Sequence, residues 1–133
     1  MSGGTPADKW RQMVAEHKER CRRMVDSSPH VRYAGAINRY GRTLTGARRH
    51  TTRPLMRPED ARNEFFVASG ITEQRRSTSA RLGAFDHAVL AHAKVYVILL
   101  RRAGVMYYVS VEKGAGDIEG IVRGLKRAAS RRA

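Results

Sequence analysis

One cysteine, Cys21, stands in a chain of 133 residues, so no internal disulfide can form and none can staple the fold. Uninterrupted apolar runs are short. The longest aliphatic and aromatic stretch is Val95 to Leu100, far below the roughly 20 residues of a membrane span. The opening "MSGGTPADKW" is small and polar, without the apolar segment behind a charged start that marks a leader. Internal repeats and low-complexity blocks are missing as well. These absences predict a soluble, cytoplasmic protein with no membrane attachment. Acidic residues are also scarce, 12 against 26 Lys and Arg, for a formal net charge of +14. A chain of this size is expected to be one domain that hides about two thirds of its unfolded surface, enough for a core without a metal.

Catalytic and metal constellations are lacking too. The histidines at 17, 30, 50, 87 and 92 form no His-x-x-x-His pair, and no Cys-x-x-Cys accompanies them. His17 and Cys21 fall on the apolar stripe of the first helix, where a hydrogen-bonded core imidazole and an inert thiol are expected. Asp86 and His87 are adjacent and, on a strand, point to opposite sides, so they are not expected to form a dyad. "KGAGDIEG" misses the dinucleotide fingerprint because Glu119 stands where a glycine is required, and Asp117 already occupies the helix start that a phosphate would need. The expectation is no cofactor, no metal site and no catalytic residue.

What the chain does hold is arginine, 21 of the 26 positive residues. Its planar fork suits phosphate and carboxylate better than lysine's point charge. From Pro29 to Pro58 there are seven arginines and no acid, and from Gly120 to Ala133 five more basic residues and again no acid. A field of this sign draws polyanions and acidic partners. The candidate contacts are Arg42, Arg48, Arg49, Arg53 and Arg57, in or beside a connector, with Arg123, Lys126 and Arg127 on the last helix. Three readings stay open: DNA or RNA backbone, an acidic protein partner, or a solvated surface with no dedicated ligand.

Turn and period signals order the chain. "TPAD" starts a helix with Thr5 as cap, Pro6 first and Asp8 reaching back. Its apolar stripe runs through Trp10, Met13, Val14, His17, Cys21, Met24 and Val25. The helix stops before Pro29, which pushes Ser28 towards extended geometry. Val31 to Ile37 and Arg42 to Ala47 flank "NRYG" as a hairpin, with Gly35 and Gly46 marking close backbone approach or bending. A second helix starts near "RPEDAR" and yields to a loop somewhere between Gln74 and Leu82. Strands follow at about Phe85 to His92, Val95 to Arg101 and Val105 to Glu112, joined by turns too tight for parallel pairing. The middle one is apolar on both alternating sets, Val95, Val97 and Leu99 against Tyr96, Ile98 and Leu100. Helices must therefore pack on both sides of an antiparallel sheet. Asp117 caps a last helix with the stripe Ile118, Ile121, Val122, Leu125 and Ala129. Residues 1–4 read as a loose N-terminus, 5–129 as the domain and 130–133 as a basic tail.

This α+β order, α-β-β-α-β-β-β-α, with "VRYAGAINRYGR" in the first hairpin and "YYVSVEKG" closing the last strand, resembles the Roadblock/longin group of profilin-like domains. More closely it resembles a family of small uncharacterised archaeal proteins of the same layout. The matching segments are Val31 to Gly41, Arg75 and Arg76 followed by Leu82 and Gly83, and Val109 to Glu112. Together they draw in about residues 10 to 130. The resemblance implies a five-stranded antiparallel sheet, the second helix on one face and the terminal helices on the other. It also implies edge-to-edge dimers joined through third strands and second helices, in scaffolds or regulators of small GTPases. It supplies no catalytic residue. The second helix itself carries more apolar circumference than one sheet face needs, which makes Phe65, Phe66, Ser69 and Gly70, with Phe85 and His87 on the third strand, the candidates for a homodimer interface. The expected function is a non-enzymatic adaptor or regulatory module docking an acidic protein partner, with sequence-independent nucleic-acid binding as the alternative.

Overall fold

The structure, a computed structural model, describes residues 4–130. Residues 1–3 of the expected loose N-terminus and 131–133 of the expected basic tail lie outside the described residues. Helix α1 spans Pro6–Asp26 and opens as its sequence dictates: the Thr5 hydroxyl accepts from the Asp8 amide at 3.1 Å, and the Asp8 carboxylate accepts from the Thr5 amide at 3.2 Å. Strands β1 (Val31–Ile37) and β2 (Thr43–Arg48) follow. β2 begins one residue later than expected because Arg42 closes the turn, its amide donating to the Asn38 side chain at 3.0 Å. Helix α2 runs Pro58–Gln74, and the Asp60 carboxylate accepts from the Arg57 amide at its start.

The chain does not yield to a loop after Gln74. It tightens into a 3₁₀ turn over Arg75–Thr78 and one helical turn, α3 (Ser79–Leu82), which Gly83 ends at φ +88°. Strands β3 (His87–Ala91), β4 (Val95–Arg102) and β5 (Val105–Glu112) complete the sheet, and α4 (Ile118–Ser130) closes the chain. Asp117 accepts from the Gly120 amide at 2.9 Å, so the helix start is filled by its own carboxylate. No described helix is long and apolar enough to cross a membrane.

The sheet is antiparallel throughout, in the order β2-β1-β5-β4-β3. Its two faces are covered unequally. On one, α1 and α4 bury Cys21, Met24, Val25, Val122 and Leu125 against Ile98, Leu100, Tyr107, Val109 and Val111. On the other, α2 brings Phe65 and Ala68 onto Ile37, Val97, Leu99, Met106 and Tyr108. The alternation read from β4 is thus the observed one. Both of its apolar sets are buried, apart from the half-buried Val95 and Tyr96 at its start.

One polar pair is sealed into the larger core. The His17 Nδ1 lies 2.7 Å from the Tyr107 hydroxyl, and the imidazole is 4% exposed. Burial, helped by the nearby Arg20 charge, lowers the His17 pKa from its ordinary 6.5. The unfolded chain therefore takes up this proton more readily than the folded one, so His17 favours folding above about pH 6.5 and loses that contribution as pH falls. Urea unfolding at pH 8 and pH 5.5 is expected to give a lower midpoint at the acid value. His17→Gln should reduce this difference, and an undiminished difference would assign it to other groups.

Candidate functional site

The smaller cover on the α2 face leaves a cavity of about 840 Å³ between the sheet, the first turns of α2 and the 49–57 connector. Its floor is apolar and aromatic, built from Tyr33, Phe65, Val95, Val97 and Tyr108, and Leu55 and Met56 of the connector form one wall. Phe65 organises the floor, stacking on Tyr33 at 6.4 Å and meeting Tyr108 edge-on at 4.8 Å. The strand glycines now have a reason. Gly35 and Gly46 pair across β1 and β2, and the Tyr33 ring lies over both; a Cβ at Gly46 would stand 2.7 Å from the Tyr33 hydroxyl. The close approach expected at these glycines is a side chain's, and it levels that end of the cavity. Burial raises the Tyr33 pKa to about 12, so the phenol is neutral. The Tyr108 hydroxyl donates to Glu64 at 3.0 Å, and burial first, then that carboxylate, raise its pKa.

The candidate arginines take several roles. Arg48 and Arg53, with Arg32 and Lys94, stand around the cavity, and no described side chain is paired with Arg48, Arg53 or Lys94. Arg49 is held by the fold: its guanidinium donates to the carbonyls of Val31 at 2.9 Å, Ser28 at 2.8 Å and Val25. It closes the C-terminal end of α1, where unpaired carbonyls collect negative charge. Arg57 folds back on Asp60 with two bonds of 3.0 and 3.1 Å. Arg42 is exposed on the first hairpin, at the end of β2 remote from Arg48. Arg123 and Arg127 are exposed on α4 and Lys126 is paired with Asp86, so this set lies across the sheet from the cavity. Among the described residues, the arginines around the cavity and the basic residues of α4 lie on opposite faces of the sheet.

Two acidic hubs went unread in the sequence. Glu73, at the end of α2, meets Arg39, Arg76 and Arg101 at 3.5, 3.2 and 3.5 Å. Asp86 pairs with His87 at 2.6 Å, with Arg102 at 3.7 Å and with Lys126. This corrects the expectation for Asp86 and His87. β3 begins at His87, so Asp86 lies before the ladder and is free of its alternation. Phe85 also stands outside the shortened strand. The Lys126 and His87 bonds bring the Asp86 pKa down to about 2. Cys21 is buried with its thiol pushed up to about 12, the condition of a core group rather than a nucleophile. Among the described residues no cluster of His, Cys, Asp and Glu has metal-site geometry.

The proposed interface residues divide between the two sides of α2. Phe65 and Ser69 face the sheet and are buried, and the Ser69 hydroxyl donates to the Phe66 carbonyl at 2.9 Å. Phe66 and Val67 face outward, 66% and 50% exposed, and Gly70 has open space above it. Beside them Gly41, at φ +83°, brings the β1–β2 turn against the Phe66 backbone, and the neighbouring Tyr40 is exposed. His87 lies on β3, the last strand of the sheet.

No protein-family model matches the sequence, and no curated protein matches it. Solved structures do. The chain is similar to a Roadblock/LC7 domain from Streptomyces avermitilis, at 17% identity and TM-score 0.63, over 83% of this chain and 88% of that one. It is similar to gliding protein MglB from Thermus thermophilus, at 15% identity and TM-score 0.66, over 96% and 88%. An MglB with tetrameric arrangement aligns at 17% identity and TM-score 0.66, again over 96% and 88%. The architecture is that of the Roadblock/LC7 fold.

The placement of Arg49 makes a test of its own. Arg49→Ala leaves carbonyls at the end of α1 without their charged donor, and is expected to cost about 1–3 kcal/mol of stability in urea unfolding. Arg48→Ala, on an exposed and unpaired side chain, should change it by less than about 0.5 kcal/mol.

Proposed function

We propose that the chain is a non-enzymatic adaptor or regulatory module that works as a homodimer and docks an acidic protein partner. The observation that carries this is the outer face of α2. Phe66 and Val67 stand exposed side by side on a helix whose opposite side is already packed. A second copy related by a two-fold axis would cover the same patch on itself, the simplest closed arrangement. β3 lies at the sheet edge beside this layer and offers unpaired backbone groups for extension. The fold likeness supports association, since one of the similar proteins is solved as a tetrameric arrangement. For the acidic partner the support is electrostatic. With 26 basic and 12 acidic residues, several arginines keep no acid of their own, Arg42, Arg48, Arg53, Arg123 and Arg127 among them. The Roadblock resemblance makes a small GTPase the first partner to try.

The second reading is sequence-independent nucleic-acid binding, favoured by the grouping of Arg32, Arg48, Arg53 and Lys94 on one side of the molecule. Against it stands the separation of that group from Arg123 and Arg127.

Sedimentation at tens of micromolar is expected to give twice the 14.9 kDa of one chain. Phe66→Glu should return it to the monomer with its secondary structure intact by circular dichroism, because the side chain is exposed in the single chain. A wild-type monomer under those conditions would overturn the dimer. A mobility-shift titration separates the two readings of the charge. The adaptor reading expects no shift of duplex DNA at 150 mM salt. A shift that weakens with a log–log slope near −4, as for about four or five phosphates, would transfer the arginines to nucleic acid.

A further inference from the structure

The cavity on the α2 face has the composition of a ligand site. Its volume, about 840 Å³, falls within the roughly 300–1,000 Å³ typical of small-molecule pockets. Apolar and aromatic side chains make up most of its lining, and the charged groups are few and unbalanced. Four cations, Arg32, Arg48, Arg53 and Lys94, face a single carboxylate, Glu64, which already accepts the Tyr108 hydroxyl. Arg32 is anchored through the Arg53 carbonyl at 2.7 Å, which fixes the connector against β1 and leaves the Arg53 side chain unpaired. Water fills such a space poorly: Val95, Val97, Phe65 and the Tyr33 ring offer it no hydrogen bonds. An uncharged apolar guest would use the floor and ignore the cations. A small inorganic anion would do the reverse.

We propose that this cavity, between the sheet, the start of α2 and the 49–57 connector, binds an amphipathic organic carboxylate, its apolar chain along Tyr33, Val95, Leu55 and Met56 above the buried Phe65, Val97 and Tyr108, and its carboxylate between Arg48 and Arg53. Arginine forks bind carboxylates in pairs of parallel bonds, and two unpaired forks stand at the same cavity. Tyr33 and Tyr108 are both neutral phenols, so the floor presents no charge to the chain apart from the engaged Glu64. The site is formed within one chain. It depends neither on self-association nor on a protein partner.

The probe is laurate, titrated into the full chain by calorimetry below its aggregation concentration, with dodecyltrimethylammonium as a cation of equal chain length. Laurate is expected to bind one per chain with a Kd on the order of 10–100 µM, and the cation at least about tenfold more weakly. Arg48→Glu with Arg53→Glu should weaken laurate by about tenfold or more while sparing the fold, since both side chains are exposed. Val97→Trp should abolish binding by filling the floor. If that variant does not fold, Met56→Asp on the exposed connector tests the same wall. Equal binding of the two amphiphiles, or laurate affinity unchanged in the double variant, would overturn the proposal. So would amide shifts of Phe65, Val97 and Tyr108 that follow protein concentration without any amphiphile, because a second copy would then be the occupant.

Discussion

The centre of the sheet is apolar on both sides, and a single helix is too narrow to cover one of them. Five strands spaced about 4.8 Å apart make a surface near 20 Å across, while a helix with its side chains is about 10–12 Å wide. Two helices, α1 and α4, meet that width on one face and bury Ile98, Leu100, Tyr107, Val109 and Val111 completely or nearly so. α2 works alone on the other. It seals the part of the sheet around Ile37, Val97, Leu99 and Met106, and leaves the part around Tyr33 and Val95 to the connector. The cavity and the exposed outer face of α2 follow from the same shortage: one helix with apolar residues all round has a side turned to the sheet and a side turned away.

Scarcity of acid shapes the rest. With fewer than half as many carboxylates as cations, several carboxylates are shared. Glu73 ties the end of α2 to the β1 turn through Arg39 and to β4 through Arg101, and Asp86 ties the start of β3 to β4 and α4. Pairs as exposed as these contribute little singly, and their value is in fixing which elements meet. Once the acids are taken, Arg49 finds carbonyls, while Arg48 and Arg53 stand exposed without a partner among the described residues. That sorting creates the basic cavity mouth and keeps it apart from the basic face of α4.

Much of the architecture was legible beforehand for local reasons. The Thr5–Asp8 cap, the proline start of α2, the tight turns around β4 and the two-sided apolar pattern of Val95 to Leu100 are each decided within a few residues. Errors fell at the starts of strands. β2 slipped by one residue because Asn38 engages Arg42, and Asp86 met His87 because β3 started late. Gly35 and Gly46 announced a close approach without saying that Tyr33 makes it.

The sequence by itself determined the order of elements, the antiparallel pairing and the need for helices on both faces, since periodicity and turn chemistry act over the spacing of neighbouring residues. Only the tertiary structure decided which arginines are available, which aromatic side chains line a hollow and which face of α2 is bare. Those outcomes depend on segments distant in the chain arriving side by side. Arg49 reads like Arg48 in the sequence, and becomes a structural residue only because the end of α1 lies within reach of its guanidinium.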